Sequence, residues 1–216
     1  MKFLRALISA TLLAPCTPAL AQHSHEHRFS GAERWAKVFD DPARDAWQKP
    51  HEVIAALSPA PDSVVADIGS GTGYCAVRLA HFVPKGRVYG VDTEPDMVKY
   101  LDERAKREGL GNLVSVAGRP GDAALPAKVD LVLMVDVYHH LSDRESYFSK
   151  LRGSLKTGAR VAIIDFRLDA PSGPPKKERI APAQVKAELA KAGYSIAKEH
   201  EFLPNQFFLV FEAAKP

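Results

Sequence analysis

Cysteine is nearly absent. The 216-residue chain has two, Cys16 and Cys75, which excludes a disulfide scaffold, a four-cysteine zinc site and chemistry that needs several thiols. Surplus charge of either sign is also missing: 29 Lys and Arg face 26 Asp and Glu, dispersed along the chain, for a formal net charge of +3. Without a basic stripe, no nucleic-acid partner is expected. The chain has no apolar run long enough for a membrane span, which needs about 20 residues. A hydrophobic fraction of 46% nevertheless excludes intrinsic disorder. The length suits one α/β domain large enough to bury a core.

The first residues read as a targeting segment. Lys2 and Arg5 precede an uncharged, mostly apolar stretch over 6–14, and Ala19-Leu20-Ala21 supplies the small residues that a signal peptidase reads. Cleavage after Ala21 would leave Gln22 as the mature N-terminus and make the protein periplasmic or secreted. The alternative is a cytoplasmic protein, or one anchored by an uncleaved signal. Pro15 directly before Cys16 fits a lipoprotein site poorly. Removing residues 1–21 takes Lys2 and Arg5 with it, so 27 basic residues then face 26 acidic ones and the basicity largely disappears. His23, His25 and His27 follow, in a segment with no evident fold; a solvated tail is expected there, weak metal binding being the alternative, and no metal site is assigned.

Further along, apolar runs alternate with helical patterns. A short amphipathic helix is predicted over 50–57, ended by Pro59 and Pro61. Strands are predicted over 64–68, 87–91, 113–116, 129–135 and 160–166. Helices are predicted over 73–82, 96–108 and 142–155, the last opened by a capping box of Ser142 and Glu145. Pro171, Gly173, Pro174 and Pro175 make 168–177 a loop. A final helix over 183–192, with Gly193 as its C-cap, leads to strands over 195–202 and 206–211, joined closely enough to form an antiparallel hairpin. The order predicts an α/β fold: a doubly wound, Rossmann-like sheet, mostly parallel, with one antiparallel strand in the C-terminal hairpin.

The strongest chemical signal is Asp67-Ile68-Gly69-Ser70-Gly71-Thr72-Gly73, between the first strand and its helix. Glycines there let the backbone turn sharply and let a ligand lie against it. Tyr74 stands where a dinucleotide fingerprint needs glycine or alanine, and no Gly-Lys-Ser/Thr follows as a P-loop requires. A carboxylate at 67 would repel a pyrophosphate but suits a ligand with an ammonium group, which argues against a nicotinamide dehydrogenase. Twenty-five residues later, Asp92 ends the second strand, where a carboxylate can accept hydrogen bonds from both ribose hydroxyls. Together these describe a nucleoside with a cationic tail and no phosphates, of which S-adenosylmethionine is the obvious candidate.

On these residues the chain resembles the class I S-adenosylmethionine-dependent methyltransferases. Val65 through Gly73 looks like that family's first motif, and Tyr89-Gly90-Val91-Asp92 like its second-strand acid. Gly121-Asp122-Ala123-Ala124-Leu125-Pro126 resembles the turn whose acid reaches the adenine amino group, and Leu155-Lys156-Thr157-Gly158-Ala159-Arg160 resembles a turn before the fifth strand, from which Thr157 and Ala159 depart. The closest likeness is to the small-molecule branch that includes quinone-biosynthesis C-methyltransferases. The resemblance implies S-adenosyl-L-methionine as cofactor, held by Asp67, Gly69, Ser70, Gly71, Thr72, Gly73, Asp92, Asp122 and Asp136, and a small-molecule methyl acceptor. It divides the chain into a signal at 1–21, a tail and lid segment at 22–50 and a methyltransferase domain at 51–216.

The fourth strand ends in Asp136-Val137-Tyr138-His139-His140, at the edge of the sheet where ligands of open α/β folds bind. His139 is the candidate base and Tyr138 the candidate residue to orient the acceptor or shield the sulfonium; the alternative for His139 is a structural or acceptor-lining role. His140 is expected to face inward. Arg34, Trp35, Phe39, Arg44, Trp47 and Gln48 fall in the lid segment, either enclosing an acceptor or forming the seam of a docked helix. Arg179 is a candidate for the same cleft, or else a solvated charge. The reading from another class is an exported, non-catalytic protein that binds a nucleoside or a metal. Oligomeric state leaves no signal.

Overall fold

The computed structural model describes residues 31–214. The predicted signal segment and the three N-terminal histidines lie outside the described residues. Seven helices are named: α1 (Ala32–Phe39), α2 (Asp45–Gln48), α3 (Pro50–Leu57), α4 (Tyr74–Phe82), α5 (Pro95–Arg107), α6 (Arg144–Leu151) and α7 (Pro182–Lys191). The strands are β1 (Val64–Ile68), β2 (Arg87–Asp92), β3 (Leu113–Ala117), β4 (Val129–Val135), β5 (Leu155–Phe166), β6 (Tyr194–His200) and β7 (Gln206–Ala213). They form one sheet in the order β3-β2-β1-β4-β5-β7-β6. β1 to β5 are parallel, and β7 runs antiparallel to both β5 and β6. The doubly wound sheet with one reversed strand is as the sequence predicts.

Alternation along each strand divides the core into two layers. Val65, Leu131, Leu133 and Ile164 point to the face covered by α3, α4 and α5. Ala66, Val132, Met134 and Ile163 point to the opposite face, under α6 and α7. The central strands are thus apolar on both sides, which is why their sequences read as nearly unbroken hydrophobic runs. Among the described residues no helix is long and apolar enough to cross a membrane.

Three local expectations are corrected. The predicted helix over 142–155 is shorter: its N-cap is Asp143, whose side chain accepts from the Ser146 amide, rather than Ser142, and it tightens into a 3-10 turn at Arg152–Ser154. β5 starts at Leu155 instead of Arg160, because Leu155 pairs with Val129 across a register shift in the β4–β5 ladder. β6 ends at His200, so 201–205 is the hairpin connection.

Candidate active site

The chain winds outward in both directions from β1 and β4, and the carboxyl ends of these two strands open the crevice where such folds take ligands. Four acids mark that edge: Asp67 in β1, Asp92 in β2, Asp136 just past β4 and Asp165 in β5.

The glycine loop follows β1. Gly69 has φ +73°, and a Cβ there would lie 2.2 Å from Cγ2 of Val137; Gly73 has φ +100°, and a Cβ would meet Leu101 at 2.5 Å. Neither position accepts a side chain. The Gly69 and Ser70 amides donate to the Val91 carbonyl at 2.8 and 2.9 Å, so the loop is tied to the end of β2. The Gly71 amide donates to Asp92 Oδ2 at 2.8 Å, and the Glu94 amide to Oδ1 at 2.9 Å. Burial raises the Asp92 pKa, while the amides of Glu94, Gly71 and Thr93 pull it back.

Asp67 is buried, 3% exposed, and its carboxyl is pushed up to about 7 by desolvation, against the Ala76 amide and with help from the Asp92 charge. Its Oδ2, the Ser70 hydroxyl and the Thr72 hydroxyl are all buried without a hydrogen-bond partner. Buried polar atoms are rarely left so, and three of them along the end of β1 and the loop after it mark a surface that a polar ligand completes.

Asp136 sits at φ +58°, an uncommon conformation for a residue other than glycine. Gln206 Nε2 donates to its Oδ1 at 2.5 Å and Arg44 Nη2 to its Oδ2 at 3.3 Å. Burial pushes its pKa up to about 7 in spite of Arg44. Beyond it, a 3-10 turn at Tyr138–His140 sends three consecutive side chains three ways.

His139 turns toward Asp165: its Nδ1 is 2.9 Å from both carboxylate oxygens, and its amide donates to Oδ2 at 3.1 Å. Burial disfavours the imidazolium, but the Asp165 hydrogen bond and charge outweigh it and raise the pKa. Tyr138 turns the other way and is fully buried. Its hydroxyl donates to Glu188 at 2.5 Å, and its ring lies against Phe148 and under the Arg144 guanidinium. Tyr138 therefore joins the α6–α7 core and does not face the acceptor side of the cleft, which corrects its predicted place. His140 is exposed rather than inward, its ring 4.0 Å from that of His139.

Asp122 lies in the exposed β3–β4 connection, its Oδ1 accepting from the Ala124 amide at 2.8 Å. It stays on the Asp92 side of the site, since the Gly118 amide at the start of the same connection donates to the Asp92 carbonyl.

α1 and α2 cover the crevice. Phe39, with Trp35 stacked on it at 5.3 Å, comes within 3.4 Å of the position a Gly71 Cβ would take. Arg104 ties Asp40 at 3.0 Å and the Thr72 carbonyl at 3.1 Å. Asp45 receives the Tyr74 hydroxyl and the Arg78 guanidinium, the latter at 3.0 and 3.1 Å. Gln48 and Gln206, each 1% exposed, share a hydrogen bond of 2.8 Å, and Trp47 lies 5.7 Å from Phe166. Arg179 serves neither predicted role: it donates to five carbonyls, those of Arg167, Leu168, Ala170, Ser172 and Pro174, and so shapes the proline-rich loop. Cys75 is buried, and desolvation raises its thiol pKa, so it is a packing residue.

Sequence reasoning missed Asp165, Gln206, Asp45 and Arg104. An acid interrupting the apolar strand Val-Ala-Ile-Ile-Asp-Phe was a readable signal for Asp165. Gln206 had none, because its partner Gln48 is 158 residues away.

The family described as a methyltransferase domain matches residues 60–206. The trans-aconitate 2-methyltransferase of Rhodopseudomonas palustris (strain BisB5) is 26% identical over 186 residues, which cover 86% of this chain and 67% of its own length. A solved S-adenosylmethionine-dependent methyltransferase from Aquifex aeolicus superposes with a TM-score of 0.77 at 27% identity, over 84% of this chain and 97% of its own. The magnesium protoporphyrin IX methyltransferase of Synechocystis PCC 6803, solved with bound S-adenosylhomocysteine, shares the fold with a TM-score of 0.65 at 19% identity, over 87% and 95%.

Proposed function

The chain belongs to the S-adenosylmethionine-dependent methyltransferases, and from that premise we propose that it methylates a small molecule enclosed between the sheet edge and α1–α2. The residues present fit the cofactor. Asp67, with its buried unsatisfied oxygen, and the hydroxyls of Ser70 and Thr72 match the polar methionine part. Gly69, Gly71 and Gly73 allow it to lie on the backbone, Asp92 is oriented for ribose hydroxyls, and Asp122 is assigned to the adenine amino group. When bound, S-adenosylmethionine supplies an electrophilic methyl group, its sulfur keeping the electrons of the broken bond.

The protein has to align the acceptor and take up its proton. We assign the base to His139. Asp165 fixes the Nδ1–H tautomer, so Nε2, on the far edge of the ring, accepts the proton from an acceptor O–H or N–H, and the Asp165 carboxylate stabilises the resulting imidazolium. Asp165 is thus a positioning residue. Asp136, which feels the charges of both Arg44 and His139, is assigned to the cationic side of the cofactor. The likeness to quinone-biosynthesis C-methyltransferases and the export of the protein after cleavage at Ala21 remain parts of this proposal supported by sequence pattern; the mass of the mature N-terminus tests the second.

The observation that carries the reading is the row of unsatisfied polar atoms on the glycine loop beside an amide-held Asp92. Calorimetry with S-adenosylhomocysteine tests it. Binding is expected in the wild type and a loss of at least about 30-fold in Asp92→Ala; no heat with the wild type, or unchanged heat in the variant, would sink it.

A further inference from the structure

Arg44 is the cation on the cleft side of α1–α2, and its donors are loosely engaged. Nη1 reaches the Phe39 carbonyl at 3.1 Å, and Nη2 reaches Gln48 Oε1 at 3.2 Å and Asp136 Oδ2 at 3.3 Å. These are longer than the 2.7–2.9 Å usual for charge-assisted bonds. Nε is buried with no partner at all. Its neighbours differ: Arg78 is closed on Asp45, Arg104 on Asp40 and Glu108, and Lys49 on the Phe202 carbonyl. The guanidinium is also oriented, lying 4.3 Å from the Tyr74 ring and 5.7 Å from the Trp47 ring. A planar fork lying against aromatic rings, with one inner donor unsatisfied, is an arrangement that takes a carboxylate through two parallel N–H···O bonds.

We propose that the Nε–Nη2 edge of Arg44 anchors the methyl acceptor and that the acceptor is a carboxylic acid. The assignment rests on the methyltransferase reading and deepens it. Asp136, the carboxylate that now faces Arg44, touches only Nη2, at 3.3 Å, while Gln206 holds its Oδ1, so the Nε side of the fork is left to the acceptor. Asp67, Asp92 and Asp165 disfavour a second carboxylate elsewhere along the edge, beside the cofactor's own, which leaves Arg44 as the cation for the acceptor. Arg44 and His139 both act electrostatically on Asp136, so an acceptor held at Arg44 is brought near the base.

The test uses the purified full chain and radiolabelled S-adenosylmethionine with acceptors matched in their hydroxyl groups: 3,4-dihydroxybenzoate and 3,4-dihydroxybenzamide, and 4-hydroxybenzoate and 4-hydroxybenzamide. Thermal stabilisation by the same acids is measured with S-adenosylhomocysteine present. At least one acid is expected to be methylated about tenfold or more faster than its neutral partner in kcat/KM. Arg44→Gln should abolish that preference, bringing the acid-to-neutral ratio of kcat/KM to about one, with Arg44→Lys recovering only part. Equal use of acid and neutral partner, or no acid giving either transfer or Arg44-dependent stabilisation, overturns the proposal. S-adenosylhomocysteine binding on the same samples separates the two readings: if the wild type fails to bind it, the methyltransferase reading falls; if it binds while the acids fail, only the Arg44 assignment does.

Discussion

Two buried carboxyl groups, Asp67 and Asp136, hold their protons up to a pH of about 7 in the folded chain, against 3.8 for the ordinary group. Between those values the folded state binds more protons than the unfolded one. Their contribution to stability is therefore full at acidic pH and is lost as pH rises toward 7. A cationic ligand asks the reverse, because it needs both groups charged. Affinity for sinefungin, which bears an amine in place of the sulfonium, should climb as pH rises from 6 to 7 by up to about tenfold per group and level off above. Titration calorimetry at several pH values checks this, and Asp67→Asn should flatten the profile. The glycines allow a cleaner separation. Gly69 and Gly121 share φ +73°, but a Cβ meets Val137 at the first and open space at the second. Gly121→Ala should cost about 1 kcal/mol through backbone strain alone, and Gly69→Ala about 2 kcal/mol more through the clash, both read from denaturant unfolding.

At the scale of elements, α6 offers a test of which residue caps it. Asp143→Ala should cost about 1 kcal/mol, roughly 2–4 °C in Tm, while Ser142→Ala changes little, since it is Asp143 that receives the Ser146 amide. That end was misread because both residues are good caps and the spacing from Ser142 to Glu145 completes a box on paper. Strand interiors were legible for the opposite reason: Val64–Ile68 and Val129–Val135 are short, valine-rich, nearly apolar runs, the pattern of strands covered on both faces. α2 is only four residues long and has no periodicity to read; its position depends on Asp45 meeting Tyr74 and Arg78 of α4. Asp45→Ala should loosen it, seen as faster amide exchange over 46–49 with the sheet amides unchanged.

For the molecule as a whole, the sheet and one half of the site were written locally. A glycine loop must follow β1, and an acid must end β2, whatever else the chain does. The other half is assembled by topology. Asp165 joins His139 only because β5 lies beside β4, and Gln206 meets Gln48 and Asp136 only because β7 inserts between β5 and β6. The misplacement of Tyr138 belongs here too, since Glu188 on α7, which holds its hydroxyl, is 50 residues away.

The bonds that fasten α1 and α2 also impose an order in time. Gly31 is held by Asp96, Asp40 by Arg104, Arg44 by Asp136 and Gln48 by Gln206, across separations of 65, 64, 92 and 158 residues. The segment is made early, but its contact through Gln206 waits for the last strand, so its docking is completed late. In refolding followed by pulsed hydrogen exchange, amides of β1 and β4 should gain protection before those of 34–48.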